Sequence, residues 1–341
     1  GIDTLPSFDT SNPDVRDFFY GSPSNSVLAH WYQQGADGWR FDFAEGPPRD
    51  FWRNMRPSAK ALRSDGPLIA ESFSDASQFL LGDQFDSTVN NRFRRDILGF
   101  VREHDRPDDS GVIDALLPSE FDHALAALQE AYPPQVTAVL LNVLDHHDTN
   151  RALFLLTENG DRGLREAKER LRLAALFQFT YIGAPMVFYG DEAAIDAPSL
   201  TPPEHDPYSR APYPWEDETG DVDIYGPPDH EMIGYYQSLA ALRHGHSALR
   251  NGSFAALLTG DTSSSNKDNT TYAFARSNSS ETVIVVLNKG RMENQPSVLV
   301  GDYFPDGTIL QDMLTGKTIG VSGGRVELTL PARVGAVLLK P

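Results

Sequence analysis

Residues 35–45 read GADGWRFDFAE, and this stretch sets an arginine and an aspartate two positions apart among aromatic side chains. An extended chain points successive side chains to opposite faces. Trp39, Phe41 and Phe43 therefore fall on one side, and Arg40, Asp42 and Ala44 on the other. An antiparallel edge strand would turn the charged side to water. A strand of a parallel barrel would cover the aromatic side with helices and aim the charges at the barrel mouth. The rest of the chain decides between these two readings.

The chain has 341 residues with 40% hydrophobic content, enough for a large domain and a small one. No run approaches the roughly 18 uninterrupted apolar residues of a membrane span. Gly1-Ile2-Asp3 carries neither the basic nor the apolar part of a signal peptide and no initiating methionine, so the sequence assigns no compartment. The absence of cysteine excludes disulfides, thiol catalysis and thiolate metal sites. A net charge of -19 repels nucleic acid and anionic membranes, and is indifferent to a neutral substrate.

Strand and helix patterns alternate along the first three quarters of the chain. SNSVLAHWYQQ reads as a helix with a Ser/Asn cap leading into the strand at Arg40–Phe43, and FWRNMRPSAKALR as a helix interrupted at Pro57. GPLIAES, QFDSTV, TAVLLNVLDHHD and APMVFYGDE read as further strands. The intervening helices are NRFRRDILGFVREHD, SEFDHALAALQEAY with a capping box at Ser119-x-x-Asp122, the amphipathic RGLREAKERLRLAALFQFTY, and HEMIGYYQSLAALRHGH closed by Asn251-Gly252. This alternation predicts parallel βα units, an α/β fold class. Beyond about Ser253 the pattern changes to short strands between turn clusters (TYAFARS, TVIVVLN, GTILQDML, RVELTLP, GAVLLKP), which predicts an antiparallel β-sandwich. The expected domains are residues 1–251 and 252–341.

Acidic groups collect at the carboxyl ends of the predicted strands: Asp42, Glu71, Asp86, and the Asp145, His147 and Asp148 of LDHHD. That edge of a parallel barrel is where the βα loops converge on an active site. A single acid at a strand end is more often a helix cap or a local ion pair, and Asp86 and Asp145 are read in that way. Recurrence across successive strands favours carboxylate chemistry for the others. His146 and His147 are adjacent on an extended segment and point apart, so one metal ion could engage both only across a turn. The glycines of GADG and YGDE lack the spacing of a phosphate-binding loop.

Four motifs together resemble the α-amylase superfamily, glycoside hydrolase family thirteen. GWRFDFA resembles its nucleophile strand, LIAES its general-acid strand, LDHHDTNR its third-carboxylate segment, and GAPMVFYGDE its eighth-strand signature. Their order agrees with that family over most of residues 1–250. The resemblance implies the C-terminal part of a (β/α)8 TIM barrel, about strands 4 to 8, followed by the antiparallel β-sandwich. It implies Asp42 as nucleophile, Glu71 as general acid/base and Asp148 as the carboxylate that fixes the distorted sugar, with Arg40 and His147 in support. Arg40, on the face of Asp42, would keep the nucleophile ionised and oriented, and neighbouring carboxylates would keep Glu71 protonated. A retaining mechanism needs the two carboxyls about 5–5.5 Å apart.

LDHHDTNR combined with HDPYSR is more similar to the neopullulanase, cyclomaltodextrinase and amylopullulanase branch, which implies that Asp206 and Arg210 contact a glucose unit. Glu45-Gly46 stands where many α-amylases carry Lys-His, and Ser72-Phe73 where an aliphatic residue and tryptophan are common. The family's early Asp-x-x-x-Asn-His motif does not occur in these residues. Five strands cannot close an eight-stranded barrel, so the first three βα units are expected on a separate N-terminal segment. The visible residues require no cofactor and assign no metal. A structural calcium of this family would belong mainly to that N-terminal part. The implied partners are an α-glucan substrate and the N-terminal segment, with no nucleic acid and no membrane, and a homo-oligomer is compatible. The implied activity is retaining hydrolysis of α-1,4-glucosidic bonds in starch, maltooligosaccharides, cyclodextrin or pullulan. Transglycosylation through the same intermediate and a non-catalytic barrel partner are the alternatives.

Overall fold

The structure is a computed structural model that describes residues 6–108, 111–158, 161, 163–196, 209–216, 226–263 and 269–341. The chain divides into two compact units. One comprises Gly1–Asn91 with Gln129–Leu141, the other Arg92–Leu128 with Asn142–Pro341.

In the first unit three short strands, β1 (Trp39–Phe41), β2 (Leu68–Ala70) and β3 (Ser87–Asn90), lie side by side in that order and run parallel. Arg40 is in register with Ile69, and Ile69 with Ser87. Gly38 makes the approach to β1 possible, because a Cβ there would meet the Pro67 carbonyl oxygen at 2.5 Å. The helix Val27–Gln33 precedes β1 and is capped as expected, Ser26 Oγ accepting from Ala29 N at 3.2 Å.

Two sequence expectations change in this unit. The helix Arg49–Leu62 runs through Pro57 without interruption. Proline costs such a helix about 3 kcal/mol. Burial of Phe51, Trp52, Met55 and Ala59 along one face outweighs that, since a large apolar side chain contributes about 1.5–3 kcal/mol. Phe41 packs on Trp52 and Phe85, with centroids at 5.2 and 5.6 Å, so the aromatic side of β1 is covered by this helix. Phe43 does not share that side. The strand ends at Phe41, and Phe43 turns into the left-handed region with φ 42°.

Asp86 holds the same helix to the strands. Its Oδ1 accepts from Arg56 Nη2 at 2.8 Å, and its Oδ2 from Lys60 Nζ at 2.8 Å and Leu68 N at 2.9 Å. Burial pushes this carboxyl up, but Lys60, Arg56 and the Leu68 N–H together hold it below its ordinary value of 3.8. A depressed carboxyl contributes stability above the ordinary value and loses it as pH falls through the folded-state value. Asp86→Asn is therefore expected to destabilise the chain by about 1–3 kcal/mol at pH 7. In urea titrations the gap to wild type should close below pH 3.8; a gap constant down to acid pH would contradict this role.

In the second unit a small hairpin, β4 (Arg106–Asp108) and β5 (Gly111–Ile113), follows the helix Asn91–Val101. Strand β6 (Leu141–Asn142), of which Asn142 belongs to this unit, neighbours β7 (Ala184–Pro185), and Asn142 O accepts from Met186 N at 2.9 Å. The five predicted strands of the first 251 residues are thus all strands. The helix Arg165–Thr180 is buried nearly all round, beyond the single stripe of an amphipathic helix. The helix Pro118–Glu130 starts one residue before the expected Ser119 cap. Ser119 Oγ instead donates to Asp261 at 2.5 Å, and Glu120 reaches back to Leu117 N at 2.8 Å, which leaves proline at the helix start.

The C-terminal strands are β8 (Ser253–Thr259), β9 (Thr271–Ser277), β10 (Thr282–Asn288), β11 (Ser297–Leu299), β12 (Ile309–Asp312), β13 (Thr318–Gly320), β14 (Arg325–Glu327) and β15 (Val334–Leu339). Six form an antiparallel sheet in the order β13-β12-β15-β10-β9-β8, and β11 pairs with β14. Ile284, Val286, Leu310 and Leu338 of the large sheet share one core with Val298 and Val326 of the small one. The antiparallel pairing of this region is what its short strands between turn clusters suggest. Among the described residues no helix is long and apolar enough to cross a membrane.

Candidate active site

Two clusters of the predicted residues form, one in each unit. In the first unit Arg40 leaves the middle of β1 while Asp42 and Glu71 follow the ends of β1 and β2. The parallel register sets these ends side by side. One guanidinium joins both acids: Arg40 Nη1 donates to Asp42 Oδ1 at 2.7 Å, and Arg40 Nη2 donates to Glu71 Oε1. Sequence reasoning gave Arg40 to the nucleophile alone; here it holds the acid as well.

The environments of the two carboxyls differ. The Asp42 side chain is 78% exposed and that of Glu71 is 6% exposed. An open aspartate can meet a substrate carbon, and a buried glutamate is held in one orientation. Phe43 N donates to Glu71 Oε2 at 2.9 Å, and the left-handed backbone at Phe43 is what aims that N–H. The Phe43 ring stands 58% exposed beside Asp42. Ser72 Oγ donates to Glu45 Oε1 at 2.5 Å, so Glu45 is tied to the residue that follows Glu71. Neither the Phe43 N–H nor the Ser72–Glu45 link was read from sequence. A bulky side chain disfavours the left-handed backbone that aims this N–H, so the sequence carries no signal for it.

In the second unit the chain turns after β6, Thr149 N donating to His146 O at 3.0 Å. The turn presents His147 and Asp148. His147 Nε2 lies 3.0 Å from Asp148 Oδ2, and Arg210 Nη2 donates to Asp148 Oδ1 at 2.7 Å. Arg210 Nε and Ser209 Oγ both donate to His147 O, at 3.2 and 3.1 Å. Arg210 thus joins this cluster, a placement the reading of HDPYSR as a glucose contact did not include, and Ser209 is a further addition to it. Asp206 lies outside the described residues. The expected divergence of the paired histidines does not hold, because the turn brings ligand atoms of His146, His147 and Asp148 within 4.8 Å of one another. Two imidazoles and one carboxylate do not fit calcium, which takes six to eight oxygens. Asp148 is moreover engaged by Arg210 and His147, and no step is assigned to a metal.

The profile of the α-amylase catalytic domain matches residues 1–252. The chain belongs to the α-amylase family. Neopullulanase 2 of Thermoactinomyces vulgaris is 34% identical over 337 residues, covering 99% of this chain and 50% of that protein. A Bacillus sp. cyclomaltodextrinase is 32% identical over 289 residues, covering 84% and 44%. Amylopullulanase of Thermoanaerobacterium saccharolyticum is 28% identical, covering 99% and 27%. The chain thus spans half or less of these curated relatives. Among solved structures, Ttha1563 from Thermus thermophilus superposes with a TM-score of 0.81 at 28% identity, over 99% of this chain and 65% of that one. A cyclomaltodextrinase superposes with a TM-score of 0.77 at 27% identity, over 99% and 53%. The names of these α-amylase relatives agree with the branch that LDHHDTNR and HDPYSR resemble.

Proposed function

We propose that this chain carries the catalytic carboxylates of a retaining hydrolase for α-1,4-glucosidic bonds in α-glucans, with cyclodextrin, pullulan or maltooligosaccharides as substrates. Asp42 forms a bond to the anomeric carbon as Glu71 gives its proton to the departing glycosidic oxygen. Water then attacks that carbon, Glu71 takes up the water's proton, and Asp42 leaves. Asp148 fixes the distorted sugar, Arg40 orients the attacking carboxylate, and His147, Asp206 and Arg210 contact the glucan. The observation that carries this reading is the single guanidinium bridging an open aspartate and a buried glutamate at adjacent ends of parallel strands.

The reading takes residues 1–251 as a partial catalytic barrel and 252–341 as its β-sandwich. It also includes a polypeptide carrying the first three βα units, seated along β1. Supporting that partner, Trp39 N and Phe41 O bond toward β2, so the peptide groups of Arg40 face the other way. Among the described residues β1 is the last strand of its sheet. A cavity of about 720 Å³ opens there, lined by Phe8, Phe19, Trp39, Phe41, Phe51 and Met55. An uncovered strand edge over apolar side chains is a template for another strand.

The test is proton NMR of the first product released from maltotriose by the chain together with that N-terminal segment. An α-anomer ahead of mutarotation is expected. A β-anomer would overturn the double displacement, and longer oligosaccharides would move the assignment to transfer.

A further inference from the structure

Phe43 directly follows Asp42, and its backbone and side chain make opposite demands on the residue type. The backbone is left-handed, with φ 42°. Three bonds hold it there: Phe43 N donates to Glu71 Oε2 at 2.9 Å, Ala44 N to Glu71 O at 3.0 Å, and Trp52 Nε1 to Ala44 O at 2.9 Å. Gly46 N then closes a turn by donating to Phe43 O at 2.9 Å. Glycine would meet each of these requirements at no steric cost, whereas a bulky side chain in the left-handed region is strained. Backbone geometry alone selects against phenylalanine here.

Burial does not account for the ring either. Phe43 is 58% exposed, while its neighbour Ala44 is fully buried. The ring rests against Gly46, where an added Cβ would stand 3.0 Å from Phe43 Cδ1 and 3.5 Å from Cε1. Arg40, Asp42, Phe43 and Gly46 all line the cavity along β1, so the ring and the Asp42 carboxylate border one space. A strained residue persists where its surroundings over-determine it, and such residues cluster at active sites and ligand contacts. An open aromatic ring beside a carboxylate supplies an apolar wall next to a polar anchor, the combination by which binding sites hold small molecules. A glucose ring is complementary to that pair, with C–H groups on one face and hydroxyls around its rim.

We propose that the Phe43 ring is the stacking surface for a glucose unit next to the bond cleaved at Asp42, which makes Phe43 a specificity-determining residue. This role rests on the hydrolase reading above. The backbone N–H orients Glu71 and the ring binds glucan, so substitution separates the two.

Phe43→Gly keeps the N–H and removes the ring. With the chain and its N-terminal segment together, KM for maltotriose is expected to rise about 10-fold while kcat stays within about 2-fold of wild type, the pattern of lost binding rather than lost chemistry. Phe43→Tyr should bring KM back close to the wild-type value. Calorimetric titration of maltotriose into Glu71→Gln protein, with and without Phe43→Gly, should show the same loss as a weaker Kd. The melting temperature of Phe43→Gly should be no lower than that of wild type, because glycine relieves the left-handed backbone. A fall of several degrees would make the ring a packing residue and overturn the proposal. So would equal KM for wild type and Phe43→Gly, or a loss of kcat at unchanged KM, and in both cases the hydrolase reading would stand. Wild type that neither hydrolyses nor binds maltotriose would overturn that reading, and the role of the ring with it.

Discussion

Glu71→Gln is expected to lower kcat/KM for maltotriose by about 10⁴-fold, the upper end of what a positioned proton donor contributes. Glutamine keeps the length of the side chain, and its Oε1 can still accept from Phe43 N, so the variant should fold. What disappears is the proton for the glycosidic oxygen and the charged partner of Arg40.

A leaving group that needs no proton separates chemistry from structure. With α-maltotriosyl fluoride the first step depends on Asp42 alone, so Glu71→Gln should release a stoichiometric burst of fluoride. Turnover after the burst should be slow, because the second step lacks its base. An equal loss on both substrates would mean that glutamine misplaces Asp42 through Arg40, and the acid/base role would fall. Unchanged hydrolysis of maltotriose would remove Glu71 from the reaction entirely.

The part of the site that is legible in sequence is the part fixed by strand geometry. Arg40 and Asp42 share a face because strand side chains alternate, and Glu71 lies beside them because β2 runs parallel to β1 in register. The alternation of strand and helix patterns likewise announced all five short strands, although β6 and β7 are two residues each. What was not legible depends on tertiary packing or on backbone conformation. Extending the alternation to Phe43 failed because the strand stops at Phe41, and no propensity signals a left-handed phenylalanine. Pro57 reads as a breaker until the burial of its helix is known. Ser119 has the spacing of a cap, but Asp261, distant in sequence, takes its hydroxyl. Asp145 was read as structural from its position alone, and its carboxyl accepts from Ala152 N at 2.7 Å across the turn, a contact that strand alternation does not announce. Strands β8, β11 and β13 were also passed over, since Ser-Phe-Ala-Ala-Leu-Leu-Thr and two three-residue segments carry little alternation.

The second large effect is on stability, and it concerns an arginine that no functional reading singles out. Arg276 on β9 is fully buried, and no salt bridge to it is seen among the described residues. Its guanidinium instead donates to four backbone carbonyls: Thr180 at 2.6 Å, Leu249 at 3.1 Å, Gly252 at 2.9 Å and Ser253 at 3.2 Å. Burial and the nearby Arg243 bring its pKa down to about 9, which records the cost of placing a cation there. The carbonyls are the return on that cost. Thr180 ends the buried helix that leads to β7, and the other three belong to the passage from the helix Ser247–Asn251 into β8. Arg276→Met would fill most of the volume but strand several buried acceptors, each unmade bond to a charged donor costing about 1.5–3 kcal/mol. A net destabilisation of about 3–5 kcal/mol is expected, allowing for the relief of burying one charge fewer. Guanidinium unfolding followed by far-ultraviolet circular dichroism should show the midpoint of the second unit moving well below that of wild type. Arg276→Lys should recover only part of the loss, since one ammonium cannot reach four carbonyls spread across two segments. A Met variant as stable as wild type would mean that water satisfies these carbonyls as well as the guanidinium does.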